Sequence, residues 1–342
     1  MATVYYDADA NLELIQRKRV AVIGYGNQGH AHALNMRDNG CNVVIGLPAG
    51  SKSRAKAEAE GFQVMTPTAA VEQADVIMLL IPDQDHREAF ERDILPGLAA
   101  GKMFMTAHGF SLHYSQIIPP ADIDVALVAP NGPGHMLRGL FTQGLGIPAL
   151  WAIHQDATGN AEALALAYAR AIGCTRAGVL RTTIGEETET DLFGEQIVLC
   201  GGLPALIRAA FETLVEAGYQ PEIAYIVSLH EVKLVVDLMY QGGMNYMHNA
   251  ISDTAEWGAY ITGPRIVDQR TRDEMRRVLQ EIQSGAFATC WILENQAGRP
   301  SFLAMRRANA QHQIEQVGRE VRAMMPGLNE TNKQLEIAET KK

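Results

Sequence analysis

Twelve residues near the start constrain the fold of this chain more than any others. Arg19-Val-Ala-Val-Ile-Gly-Tyr-Gly-Asn-Gln-Gly-His30 sets an apolar, strand-length run directly before Gly24, Gly26 and Gly29 in G-x-G-x-x-G spacing, with a helical pattern following. Glycines there allow a tight turn and close backbone approach, and the helix N-terminus turns its N–H groups toward a pyrophosphate. The motif alone would also suit a plain tight turn. A strand before it, a helix after it and a second strand at Asn42–Gly46 complete the βαβ context that marks a dinucleotide site.

That pattern repeats from Arg19 to about residue 183. Strand candidates are Val20–Gly24, Asn42–Gly46, Gln63–Met65, Val76–Ile81, Met103–Ala107, Val125–Ala129, Ala149–Ile153 and Ala177–Leu180. Amphipathic stretches such as Gln28–Asn39, Ser53–Glu60 and Gly159–Ile172 separate them, the last closed by a C-cap signal at Gly173. Alternation of this kind predicts a parallel sheet buried on both faces, a Rossmann-type α/β domain over 1–182. Beyond it the sequence reads as all-α: Leu203–Ala217, Glu222–Tyr240, Gln269–Gln283 and Ser301–Met325 carry helical spacing. The expected domains are 1–182, 183–328 and a polar, fraying tail over 329–342.

At 342 residues, two domains of about 150 residues each fit the length. A net charge of −10 argues against a nucleic-acid partner. Apolar runs such as Asp75–Pro82 fall well short of the roughly 20 residues of a membrane-spanning helix, so no membrane partner is expected. Cys41, Cys174, Cys200 and Cys290 lie far apart without metal-site spacing, and Met1–Leu14 lacks the pattern of a signal peptide; both readings favour the cytoplasm.

The end of the second strand bears on the choice of cofactor. An NAD site normally presents a carboxylate there, but Gly46-Leu-Pro-Ala-Gly-Ser-Lys-Ser-Arg54 has none. Ser51, Lys52, Ser53 and Arg54 instead offer hydroxyls and positive charge to a 2′-phosphate, favouring NADPH; a solvated basic helix start is the plainer alternative. In the second domain, Asp191 and Glu195 stand four apart on one helix and could present two hard oxygen ligands to Mg²⁺. The preceding acids Glu186, Glu187 and Glu189 read as ordinary helix-dipole compensation. Glu231, among Ile226, Val227, Leu229, Val232, Leu234 and Val235, is expected to face a buried site, and Ser252 in a hydroxyl-rich turn could hold a substrate carboxylate.

With these segments in view, the chain resembles ketol-acid reductoisomerase (acetohydroxyacid isomeroreductase) in its short, class I form. The resemblance rests on Gly24–Ala33, Ala107-His-Gly-Phe110, Ala129-Pro-Asn-Gly-Pro-Gly-His135, Glu186–Gly202, Leu229-His-Glu231 with Asp237–Tyr240, Ile251–Gly258 and Trp291–Pro300, and covers nearly the whole length. It implies a knotted helical C-terminal domain, homodimers able to assemble further, NADPH, and two Mg²⁺ ions acting on a small 2-keto acid. By position, Asp191 would bridge both ions, Glu195 would ligate one and Glu231 would help hold the other. Ser252 of a neighbouring subunit would bind substrate, and His108 would stand where cofactor and substrate meet. Tyr25, Gln28 and Gly134 would join the three glycines around the cofactor.

Two positions depart from the family pattern: Asn131 replaces a lysine and Val227 replaces a metal-ligating glutamate. Lesser departures are Gln241, where a glutamate is usual, and Pro48, where an arginine often helps with the cofactor phosphate. Three functions follow: an ordinary isomeroreductase acting on 2-acetolactate-type acids, a specialised reductase of another 2-keto acid without alkyl migration, or a non-catalytic NADPH-binding protein.

Overall fold

The computed structural model describes residues 2–325, so the tail expected over 329–342 lies outside the described residues. The chain forms two compact units that divide between Asp191 and Leu192.

Branched and sulfur-bearing residues in short runs build the sheet of the first unit. Its strands are β1 (Val4–Tyr5), β2 (Arg19–Ile23), β3 (Asn42–Gly46), β4 (Gln63–Met65), β5 (Val76–Leu79), β6 (Met103–Thr106), β7 (Asp124–Pro130), β8 (Ala149–Gln155) and β9 (Val179–Arg181). Their order is β1-β9-β8-β7-β6-β5-β2-β3-β4, and the ladder from β4 to β7 is parallel throughout. Strand order reverses between β2 and β5, the switch point where open α/β sheets bind ligands. Alternate side chains feed two layers. On one face Val76, Met78, Met103 and Met105 pack with Ala31 and Met36 of the helix Asn27–Asp38; on the other, Ile77, Leu79 and Phe104 pack with Ala70 and Ile94. Each of these large side chains, fully buried, contributes roughly 1.5–3 kcal/mol.

The sheet departs from the all-parallel expectation on one side. β8 runs antiparallel to β7, returning after the helix Gly134–Thr142, and the two-residue β1 adds antiparallel to β9. Composition distinguishes buried strands from exposed ones but carries no signal for their direction, and two residues are too few to show a period.

The second unit is helical, as expected. Among the described residues it runs through the α-helices Gly202–Glu216, Pro221–Tyr225, Glu231–Ala250, Asp253–Ile266, Gln269–Gln283, Ala286–Gln296, Pro300–Ala310 and Gln313–Ala323. The single helix expected over Ser301–Met325 is two, because the His312 side chain accepts from the Ile314 N–H and starts a new helix. Gly243, at φ 83°, bends Glu231–Ala250 near its middle. Phe211, Ala224, Tyr225, Ile314, Val317 and Val321 form a small core, while Leu206, Leu234, Tyr240, Met244, Trp257 and Leu293 stand exposed. The helical run Ile184–Glu216 is long and apolar enough to cross a membrane by length and composition, with only 6% of its most apolar window buried. The sequence reading missed it because glycine, alanine and single polar residues break the run into short pieces.

Gly134 shows how tightly the first unit is packed: a Cβ there would lie 2.1 Å from the Asn27 carbonyl oxygen, between two helices. Gly134→Ala should therefore lower the stability of this unit by about 1–3 kcal/mol, read from urea unfolding, through forced separation of those helices. An unchanged midpoint would show that the helices part freely.

Candidate functional site

The segments that leave the carboxyl ends of five neighbouring strands, β3, β2, β5, β6 and β7, carry most of the candidate residues of the first unit. β2 ends in the glycine turn, where Gly24 adopts φ +104° and a Cβ would meet the Leu80 carbonyl oxygen at 2.4 Å. A Cβ on Gly29 would lie 2.3 Å from the Gly24 oxygen, so neither position admits another residue without displacing backbone. Gly26 differs: nothing lies within 4 Å of where its Cβ would be, leaving a cradle open above the start of the helix Asn27–Asp38. Gln28 donates its Nε2 to the Gly132 carbonyl at 2.9 Å, while its buried Oε1 has no partner. An open glycine cradle beside an orphaned buried acceptor fits a dinucleotide that itself carries N–H donors.

Two expected cofactor contacts have partners of their own within the protein. The Tyr25 side chain is buried among Phe62, Leu47 and Ala57 and donates its hydroxyl to Glu60, so only its backbone belongs to the turn. Arg54 directs its guanidinium to the carbonyls of Leu47 and Val64 and to Glu58, which fixes it at the start of the helix Arg54–Ala59, next to Ser51, Lys52 and Ser53. Arg54 thus ties the start of this helix to Leu47 after β3 and to Val64 in β4.

Beyond β6, His108 stands between two carboxylates. Its Nδ1 lies 3.1 Å from Asp83 Oδ2, and its Nε2 lies 3.4 Å from Asp191 Oδ2. Nε2 is buried and poorly aligned with Asp191, so it makes no hydrogen bond. Burial disfavours the imidazolium, but Asp83, Glu187 and Asp191 outweigh that and hold the His108 pKa up at about 9. Burial acts on Asp83 in the upward direction, yet the hydrogen bond and charge of His108 leave its carboxyl below its ordinary value. Asp191 is pushed up, by burial first, with His108 opposing.

Glu187 corrects the reading of the acids at the start of this helix. It is 3% exposed, its Oε2 accepts from the Gly109 N–H at 2.8 Å, and burial lifts its pKa to about 7. Gly109 has no room for a side chain, since a Cβ would sit 2.2 Å from the Thr188 hydroxyl. The helix through Asp191 is thus seated on the sheet unit, beyond the boundary expected at 182. Asp83 and Glu187 were both missed as site residues; a Pro-Asp pair after β5, at a strand's carboxyl end, was the signal available for the first.

Of the remaining candidates, Asn131 belongs to the first unit and Glu195, Val227, Glu231 and Ser252 to the second. Glu195 opens a π-turn, Glu195–Leu199, and Glu231 follows another, Ile226–His230, that contains Val227. Such turns often mark functional positions. Glu231 is exposed rather than buried, because the apolar residues around it are themselves half-open to solvent. Ser252 is exposed and caps the helix Asp253–Ile266, accepting from the Ala255 N–H at 3.3 Å. Asn131 is exposed at the end of β7, its N–H held by the Pro148 carbonyl. Among the described residues, no three His, Cys, Asp or Glu side chains gather as a metal cluster.

A sheet with a dinucleotide turn at its switch point, and a charged histidine two strands away, defines a nicotinamide-dependent oxidoreductase. The comparisons make this specific. Residues 14–178 match the family "Acetohydroxy acid isomeroreductase, NADPH-binding domain", and residues 184–327 match "Ketol-acid reductoisomerase, C-terminal domain". The chain belongs to the ketol-acid reductoisomerase family and is an NAD(P)H-dependent enzyme of it. It is 42% identical to an NADH-preferring ketol-acid reductoisomerase from an uncultured archean, with TM-score 0.92, covering 95% of this chain and 99% of that one. A semialdehyde dehydrogenase NAD-binding protein from Cupriavidus necator (19% identity, TM-score 0.60, 78% of this chain and 99% of that one) shares the fold. So does an oxidoreductase from Jannaschia sp. CCS1 (17% identity, TM-score 0.58, 78% and 97%).

Two outcomes follow from this geometry. Gly26→Ala should leave the melting temperature unchanged but weaken binding of reduced nicotinamide cofactor by about tenfold or more, measured by fluorescence titration. Unaltered affinity would mean that the cradle does not hold the pyrophosphate. Glu187 should register in the pH dependence of stability. Its folded pKa of about 7 exceeds the ordinary 4.5, so its cost is absent below that ordinary value, grows as pH rises toward 7, then levels off. Glu187→Gln should accordingly gain on the native protein by on the order of 3 kcal/mol between pH 4.5 and 7.5 in urea unfolding; midpoints moving in parallel would contradict a neutral Glu187.

Proposed function

We propose that this enzyme uses NADPH and Mg²⁺ to act on a 2-hydroxy-3-keto acid of the 2-acetolactate type, and that reduction outpaces alkyl migration. The observation that carries the reading is His108, held charged beside Asp83 with a buried, unbonded Nε2 at the edge of the cofactor sheet. NADPH rather than NADH is supported by Ser51, Lys52 and Ser53 where an acid would otherwise stand.

The half-buried carboxylate of Asp191 is a hard oxygen donor whose charged neighbours are His108 and Asp83, which fits a hard divalent cation. We assign Asp191, Glu195 and Glu231 as its ligands. The cation would polarise the substrate's neighbouring oxygens, and the reduced nicotinamide would supply hydride. Asp83 holds the His108 ring by Nδ1 and keeps it protonated, so that Nε2–H can donate to the oxygen on which negative charge develops during reduction. Glu187 fixes the turn carrying His108 through the Gly109 N–H.

Ser252, at a helix N-terminus, is assigned to the substrate carboxylate. The exposed Leu234, Tyr240, Met244 and Trp257 support a homodimer in which a second copy covers the helical unit and completes the site. Four free cysteines, two of them buried, support a cytoplasmic location. We divide the function between 1–182, for cofactor, and 183–328, for metal and substrate.

Asn131 and Val227 support the slower migration. Migration needs a hydroxyl deprotonated while its neighbouring carbonyl is polarised, work suited to two metals, whereas one suffices for a single keto group. NADPH oxidation with Mg²⁺ should therefore be faster on 3-hydroxy-3-methyl-2-oxobutanoate than on 2-acetolactate, by about tenfold or more. Asn131→Lys with Val227→Glu should narrow the gap. Equal, high turnover on both substrates would return the protein to the ordinary isomeroreductase, and no Mg²⁺ binding with NADPH present would leave a cofactor-binding protein only.

A further inference from the structure

The short helix Arg54–Ala59 is fastened at both ends, and the second fastening reaches into the glycine turn. At its start, Arg54 donates to the carbonyls of Leu47 at 3.5 Å and Val64 at 3.1 Å. At its end, Glu60 Oε2 accepts from the Tyr25 hydroxyl at 2.5 Å, and Glu60 Oε1 lies 2.9 Å from His30 Nε2. The Glu60 carbonyl also accepts from Arg37 on the far turn of the helix Asn27–Asp38. One carboxylate therefore grips Tyr25, between the first two glycines, and His30, in the first turn of the helix that follows. The Tyr25 ring completes the joint, edge-on to His30 at 5.4 Å and to Phe62 at 5.9 Å.

Burial, then the Glu60 hydrogen bond, raises the Tyr25 pKa far out of reach, so its hydroxyl remains a donor. Burial favours protonating Glu60, but the bonds from Tyr25 and His30 prevail and keep it a carboxylate. The joint is thus a charge-assisted pair of hydrogen bonds in a partly buried setting, stronger than a neutral pair. No pattern in the sequence marked it, because Glu60 ends a helix whose acids all look solvated.

We infer that Glu60 is a positioning residue for the reduced cofactor: it locks the 2′-phosphate segment Ser51–Ser53 to the pyrophosphate turn, so that the two anionic parts of one ligand meet loops already set at a fixed separation. The inference rests on the cofactor assignment above. Two phosphate subsites on separate loops bind a rigid pair of groups well only when the loops do not have to be ordered on binding. A cofactor without the 2′-phosphate uses the second loop less. Releasing the joint therefore penalises NADPH more than NADH, a signature that general destabilisation does not produce.

The test measures dissociation constants for NADPH and NADH by fluorescence titration, with kcat at saturating NADPH, on the full chain. Glu60→Ala should weaken NADPH by about tenfold and NADH by about twofold or less, with kcat kept within about twofold. Glu60→Gln, which can still accept from Tyr25 and donate to a neutral His30 Nε2, should restore most of the NADPH affinity. Should Glu60→Ala fold poorly, Tyr25→Phe removes the hydroxyl alone and should shift the NADPH to NADH ratio the same way. Equal weakening of both cofactors, or no change in either, overturns the inference. Failure of the native protein to bind either reduced cofactor would instead strike the cofactor assignment itself.

Discussion

Burying a carboxylate without a full positive partner is the constraint around which the first unit is arranged. Glu187 sits almost out of reach of water, accepting one backbone N–H and lying in the field of His108. Desolvation alone would make such a site untenable for a charge, and the structure answers with three adjustments: the acid's proton affinity rises, the histidine's proton is held, and Gly109 gives up its side chain so that the helix can approach. A side chain at position 109 would lift the helix away, and with it Asp191 would leave the neighbourhood of His108.

Charge on His108 is set by a balance that leaves one buried donor unused. Asp83 takes Nδ1 in a true hydrogen bond, whereas Asp191 meets Nε2 at ion-pair distance with poor alignment. A buried N–H left unsatisfied in this way costs free energy unless something else accepts it, and native proteins seldom keep such groups without a use. The same logic applies to Gln28 Oε1, an acceptor left over beside the glycine cradle. A leftover donor on the loop after β6 and a leftover acceptor in the first turn of the helix after β2, both at the carboxyl ends of one sheet, describe a surface shaped for a polar ligand rather than for packing.

Much of this was legible in the sequence where one residue type has one structural use. Gly24 and Gly29 could be read because their turn permits nothing else, and Gly173 because a left-handed C-cap favours glycine, here at φ +88°. Strands β2 to β9 were legible from apolar runs, but the antiparallel direction of β8 was not, since direction resides in the connection rather than in the residues. Site chemistry was harder. Glu186, Glu187 and Glu189 look alike in a row, and only the fold shows that the middle one is buried while Glu186 stays at the surface. Arg54 shows the opposite limit: spacing puts a cation beside the phosphate loop, but nothing in the sequence tells that the Leu47 and Val64 carbonyls also take its guanidinium.

The helical unit follows a different rule from the sheet unit. A sheet covered on both faces by its own helices can satisfy its apolar surface within one chain, as the two large clusters around β5 and β6 do. The helices after Gly202 bury little beyond the cluster at Phe211 and Tyr225, and leave large side chains such as Tyr240, Met244 and Trp257 open. Apolar surface on that scale is the kind that marks an interaction face. Glu231, Val227 and Ser252 all lie among these open helices. An acid or hydroxyl that a single chain leaves in water is poorly placed to bind a cation or orient a substrate, because bulk solvent competes for both. Covering the face would change the dielectric around those residues at the same moment as it buries the hydrophobic ones. Were a second copy to cover this face, the exposed apolar side chains would supply the driving force and Glu231 and Ser252 would leave bulk water with them.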